Sequence, residues 1–119
     1  MIENLNGIHE TVKYKENSNV KLFINAEAED YPIHWHTPME IIMPLEGGYT
    51  VQIGDDLVHL NESDIIFIAS GVKHRLIAPD TGKRLILQIE WSAVSKSKGI
   101  KFHTYPYSTC YNANPGNFR

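Results

Sequence analysis

Turn-forming clusters recur along the middle of this chain at intervals of about ten residues, and nothing else in the sequence constrains the fold as strongly. They are "EGG" at 46–48, "GDD" at 54–56, "NES" at 61–63, "SG" at 70–71 and "PDTG" at 79–82. The segments around and between them alternate with a period of two. Val20, Leu22 and Ile24 alternate in "VKLFIN", as do Tyr49, Val51 and Ile53 in "YTVQI" and Leu85, Leu87 and Ile89 in "RLILQIEW". "DIIFI" at 64–68 is a short apolar run suited to a strand buried on both sides. "GDD" between two alternating runs predicts a tight hairpin. No window carries a 3.6-residue apolar stripe; the nearest, "SAVSKSKG" at 92–99, is short and polar. Many short strands in one domain predict an all-β sandwich or barrel.

The 119 residues are enough for one domain with a hydrophobic core of its own. A formal charge of −3, with basic residues scattered apart from a modest cluster at Lys96–Lys101, argues against a nucleic-acid surface in this chain. Cys110 is the single cysteine, so no disulfide forms within the chain and a cytoplasmic location is expected. The start "MIENLNGIHE" has no basic and apolar leader pattern, and the longest apolar run, "IIFIA" at 65–69, is far too short to span a membrane. The tail "FHTYPYSTCYNANPGNFR" carries Tyr105, Tyr107, Tyr111 and Phe118 beside Pro106 and Pro115. It reads as a packing arm or the start of a linker.

The chemistry concentrates in "HWHTPMEIIMPLEGG" at 34–48. Residues two apart on a strand share a face, so His34 and His36 project together, about 6–7 Å apart along the backbone. Glu40 is an even step further on and can add an oxygen donor after the bend at Thr37–Pro38. Mixed nitrogen and oxygen donors suit a divalent Zn, Ni, Mn or Fe ion. A fourth protein ligand has to come from elsewhere, with His9, His59, His74 and His103 as the candidates. Alternatively, the histidines hydrogen-bond an organic ligand directly. Trp35 faces the other way, toward core or interface. Met39, Ile42 and Met43 read as core. Arg75 and Arg84 are candidate anion clamps, with solvated surface positions as the commoner alternative. Tyr49 and Trp91 are candidates to line a barrel mouth. Gly47 and Gly48 serve backbone geometry.

Two stretches resemble the cupin motifs. "HWHTPME", followed six residues on by Gly47, is similar to the first; "SDIIFIASGVKH" at 63–74 is similar to the second. Ser63 stands where that motif has glycine, Ala69 where it has proline, and Ala78 where it often has asparagine. The resemblance implies a double-stranded β-helix, or jelly-roll barrel, and completes a metal tetrad of His34, His36, Glu40 and His74. It divides the chain into an arm and first strands at 1–30, a barrel core at 31–91 and a C-terminal segment at 92–119.

Residues 7–76 further resemble the N-terminal sensor region of AraC-type transcription regulators. That resemblance implies a small-molecule effector, a polar metabolite such as a sugar, held in the barrel by His34, His36, Glu40, His74, Tyr49 and Trp91. It implies a homodimer, and contact with DNA only through a C-terminal helix-turn-helix half that these 119 residues do not include. The same tetrad would also serve a small metal-dependent enzyme, a dioxygenase or sugar isomerase, with an open metal position as Lewis acid or redox centre. A third possibility is a structural dimerisation domain with a vestigial pocket.

Overall fold

The computed structural model describes residues 2, 4–16 and 18–90, and the backbone of 109–111. Every regular element among them is a strand: β1 (Leu5–Asn6), β2 (His9–Glu10), β3 (Val20–Asn25), β4 (Tyr31–His34), β5 (Met39–Glu46), β6 (Tyr49–Ile53), β7 (Asp56–Leu60), β8 (Ile65–Ile68), β9 (His74–Ile77), β10 (Lys83–Ile89) and β11 (Thr109–Tyr111). They form a five-stranded sheet in the order β11-β8-β5-β10-β3, a four-stranded sheet in the order β4-β9-β6-β7, and a small β1-β2 hairpin. None of the described residues forms a helix long and apolar enough to cross a membrane.

The two large sheets face each other over one core. Ile42, Ile66, Ile68 and Ile86 come from the five-stranded sheet, and Tyr49, Val51, Leu60 and Leu76 from the four-stranded one. The expected hairpin is present: Ile53 pairs with Asp56 across Gly54 and Asp55, with Gly54 at φ +58°. Ser63 has φ +69° and is the one non-glycine residue in the left-handed region among those described. The backbone there keeps the conformation that a glycine adopts without strain. Gly82, at φ +105°, lies against the opposite turn; a Cβ built on it would sit 2.4 Å from the Glu46 carbonyl oxygen.

The direction of the alternation is less conventional. Along β3 the apolar residues Val20, Leu22 and Ile24 face outward, and Leu22 and Ile24 are 60% and 61% exposed. Their register partners Ile89, Leu87 and Leu85 share that outer face of the sheet. The inward row of β10 is Arg84, Ile86 and Gln88, and all three are buried. Arg84 is therefore a core side chain and not a surface one. Its Nη1 donates to Asn25 Oδ1 at 2.7 Å and to the Glu27 carbonyl at 3.0 Å, and its guanidinium lies 4.3 Å from the centre of the Tyr49 ring. "DIIFI" is likewise split between faces: Ile66 and Ile68 are fully buried, while Ile65 is 37% exposed. Met39 and Ile42 are core as expected, but Met43 lies on the outer face of β5 and is only half-buried.

Candidate metal and ligand site

The site lies between the two sheets, where strand register brings the polar inward residues together. His34 ends β4 and His74 begins β9, and the two are direct cross-strand partners with ring centroids 4.3 Å apart. His36 follows after Trp35, with its centroid 5.7 Å from His34 and 5.0 Å from His74. Glu40, on β5 in the facing sheet, is opposite Gln88 of β10, and Gln88 Nε2 donates to Glu40 Oε1 at 2.8 Å. All five side chains are buried. Three of the four expected ligands form one group: one ring nitrogen from each of His34, His36 and His74 lies within 4.8 Å of the others. Glu40 Oε1 is 3.5 Å from His36 Nε2, and Glu40 Oε2 is 3.4 Å from His74 Nε2.

Hydrogen bonding fixes which nitrogen faces the centre. His34 Nδ1 is 2.7 Å from the Pro32 carbonyl, His36 Nδ1 2.8 Å from that of Pro38, and His74 Nδ1 2.8 Å from that of Val72. A carbonyl oxygen only accepts, so each Nδ1 carries a proton and donates it. In a neutral ring the Nε2 lone pair then points inward. His36 Nε2, His74 Nε2 and Glu40 Oε2 are buried with no hydrogen-bond partner. Lone pairs facing a carboxylate at 3.4–3.5 Å repel, and a cation between them removes the conflict. Donors that share one ion at bond lengths of about 2.1 Å lie roughly 3–3.5 Å apart, which is the spacing of Glu40 from His36 and His74, while the three imidazole nitrogens lie within 4.8 Å of one another. The donor set fits a divalent metal.

Electrostatics point the same way. Burial, with His74 as the next influence, pushes the His34 imidazole down to about 4, so the ring is neutral near pH 7. Burial also works against a charge on His36, but the close contact and charge of Glu40 outweigh it and raise that imidazole above its ordinary value. Burial alone would raise the Glu40 carboxyl; the two histidines override it and hold the group well below the usual carboxylate range. Without a metal, a proton held between His36 and Glu40 would occupy the place that suits a cation.

Two residues at the site were not expected from the sequence. Gln88 follows from the strand pattern only once β10 is known to turn its polar row inward. Glu10 has no sequence signal at all. It sits on β2 of the N-terminal hairpin, with Oε1 3.5 Å from His34 Nε2 and its side chain 14% exposed, and burial raises its carboxyl pKa. The arm reaches the barrel through Trp35. The Trp35 N–H donates to the Ile8 carbonyl at 2.8 Å, the Glu10 N–H donates to the Trp35 carbonyl at 2.9 Å, and His9 stacks on the Trp35 ring at 4.2 Å.

Beside the cluster is a cavity of about 290 Å³. Its wall includes Asn4, Glu10 and Lys13 of the N-terminal arm, Lys21 and Asn25 of β3, and Tyr31, His34, Glu40 and Gln88. Tyr49 is not part of this wall; it is core, and its edge lines a separate open groove with Thr50, His59 and Pro79. Arg75 pairs loosely with Asp30 at 3.9 Å. His59 is exposed and holds Thr50 Oγ1 at 3.0 Å. Gly47 has φ +74° and does serve backbone geometry, whereas Gly48 leaves room for the His59 ring, which a Cβ there would meet at 2.8 Å. Trp91, His103 and the aromatic tail residues Tyr105, Tyr107 and Phe118 lie outside the described residues, as does the cluster at 96–101.

A two-sheet antiparallel β-barrel that gathers three histidines and a glutamate at one end of its interior defines a class, the cupin-type jelly rolls. Residues 22–89 match the cupin domain family model (Cupin_2), and the chain belongs to that family. Among solved structures it is similar to a cupin-2 domain protein of Shewanella frigidimarina, with 19% identity over 64% of this chain and 76% of that one, at a TM-score of 0.56. It is also similar to an oxalate decarboxylase of Bacillus subtilis, with 21% identity over 64% of this chain and 22% of that one, at a TM-score of 0.55. At such identities these two likenesses concern the fold. Among curated proteins, an uncharacterised HTH-type transcriptional regulator, YdeC of Bacillus subtilis, is 34% identical over 55 residues. The aligned stretch spans 45% of this chain and 19% of that protein.

Proposed function

We propose that this chain is the small-molecule-sensing domain of an AraC-type transcription regulator, taking a small polar metabolite such as a sugar into the cavity beside the histidine cluster. The observation that carries the reading is that the N-terminal arm supplies part of the cavity wall, through Asn4, Glu10 and Lys13. A ligand held there touches arm and barrel together, so its binding biases how the arm lies. The wall is rich in amide, carboxylate, amine and phenol groups, which suit a polyhydroxylated ligand. The similarity to an HTH-type regulator supports the same reading, in which DNA contact would belong to another domain.

His34, His36, His74 and Glu40 would hold a divalent ion of the Zn, Ni, Mn or Fe group, and Gln88 orients Glu40. When bound, such an ion supplies an electrophilic centre on which a ligand oxygen can rest. Dimerisation belongs to the proposal as well, and the outward apolar row of β3 supports a second copy of the chain as partner.

The test is calorimetry with monosaccharides and small organic acids on metal-free and metal-loaded protein. Saturable binding, weakened in Gln88→Ala and without turnover, is the expected outcome. Absence of binding across both classes would overturn the sensor reading. Metal analysis of the wild type beside His34→Ala and His74→Ala tests the ion: stoichiometric metal lost from both variants supports the tetrad. Metal-free protein that binds a sugar unchanged counts against it.

One observation favours a second reading, a small metal-dependent enzyme. Glu10 puts a carboxyl group beside His34 at the cavity, where a proton-transfer group would be needed. Turnover of a bound compound by the metal-loaded protein, lost in Glu10→Gln, decides for it.

A further inference from the structure

We infer that Glu10 is an additional oxygen donor to the cation of the histidine site, so that docking of the N-terminal arm and metal occupancy are thermodynamically linked. This rests on the metal occupancy proposed above.

The two carboxylates divide the three imidazoles between them. Glu40 reaches His36 at 3.5 Å and His74 at 3.4 Å. Glu10 reaches His34 at 3.5 Å, the same spacing, from the arm side. His34 Nδ1 is committed to the Pro32 carbonyl, so a neutral His34 turns its Nε2 lone pair on the Glu10 carboxylate. That contact is unfavourable by itself and favourable with a cation beside it. Among the described residues no lysine or arginine forms an ion pair with Glu10.

The arm has little else to hold it. Its hairpin consists of strands of two residues each, too short to be stable alone. Leu5, Asn6 and Gly7 are exposed. The hairpin residues 5–10 are tied to the barrel by the two Trp35 backbone hydrogen bonds and the His9–Trp35 stack, with Glu10 beside His34. A metal bond through Glu10 is therefore a large share of the attachment. Linkage requires the reverse as well: a docked arm tightens the ion by the same factor that the ion tightens the arm.

The experiment uses the full 119-residue chain, stripped of metal, with Zn²⁺ alone as probe. Hydrogen exchange is followed in peptides covering residues 5–10 and Trp35, in the wild type and in Glu10→Gln, which keeps shape and removes charge. Zn²⁺ affinity of both proteins is measured in parallel. The expected result is that Zn²⁺ slows arm exchange about ten-fold or more in the wild type and has little effect in Glu10→Gln. Zn²⁺ affinity falls by a similar factor in Glu10→Gln, while protection of the β4–β9 pair stays the same in both. Equal Zn²⁺ affinity and unchanged arm exchange in the two proteins would overturn the inference and leave the metal site standing. Failure of the wild type to bind Zn²⁺ removes the metal reading and this inference together.

Discussion

Gln88 has a function that its position in an apolar strand conceals. Its amide is the hydrogen-bond partner of a fully buried carboxylate oxygen, at 2.8 Å. Gln88→Leu keeps the volume and removes the donor, so it should destabilise the metal-free protein by about 1–3 kcal/mol in urea denaturation. It should also lower divalent-metal affinity about 10–100-fold. The same scale governs pH. His34 takes up a proton in the native state only near pH 4, against 6.5 for an ordinary histidine. Between those values the unfolded chain binds more protons than the native one, so stability falls as pH drops from 6.5 toward 4 and this contribution is complete below that. The part due to His34 is on the order of 3 kcal/mol. Urea midpoints of metal-free protein across that range should therefore fall less steeply in His34→Asn than in the wild type. His34, His36 and Glu40 were legible in the sequence because a strand carries alternate residues to one face. Glu10 was not, because it arrives through a hairpin of two-residue strands whose docking depends on Trp35, and no local pattern encodes that contact.

At the scale of elements, the turns were more legible than the faces. Each turn cluster read from the sequence separates two strands, since left-handed backbone positions demand small residues. Ser63 and Gly82 test that rule in opposite directions. Ser63→Gly should raise stability by up to about 1 kcal/mol, because it relieves a left-handed Ser at φ +69°. Gly82→Ala should lower it by about 2 kcal/mol or more, because the added methyl meets the Glu46 carbonyl. Thermal unfolding of the two variants checks the contrast; equal shifts would refute it. The facing of β3 and β10 was not legible from alternation. A hydrophobic row usually marks the inside of a sheet, yet here Arg84, Gln88 and Asn25 point inward, and Leu22, Ile24 and Leu87 outward. The barrel interior is a polar site at one end and a core at the other, so polar residues on these strands are drawn inward by partners rather than pushed outward by water.

For the whole molecule, that inversion leaves an apolar outer wall. Leu22, Leu87, Ile41 and Phe67 form one register row across four strands, and Leu22 is 60% exposed. Rows of this kind are costly to leave wet, and the proposed homodimer would cover them. Leu22→Lys combined with Ile24→Lys should convert a dimer to monomer in sedimentation velocity while leaving metal content unchanged; a dimer that survives both places the interface elsewhere. The all-β sandwich or barrel follows from strand count and turn spacing, and the family from the resemblance of 34–47 and 63–74 to the two cupin motifs, which is why the fold was legible in advance. The arm and the outer wall were not, because each depends on what lies across from it.

The three imidazoles are held from behind by carbonyls only two residues away, in Pro32–His34, His36–Pro38 and Val72–His74. Their Nδ1 protons are thus held within tripeptides. Substitutions elsewhere in the cavity wall or in the arm leave these three ring–carbonyl contacts in place. The orientation of the three rings is thus a portable cassette, written in short stretches of chain and separable from the wall built around them.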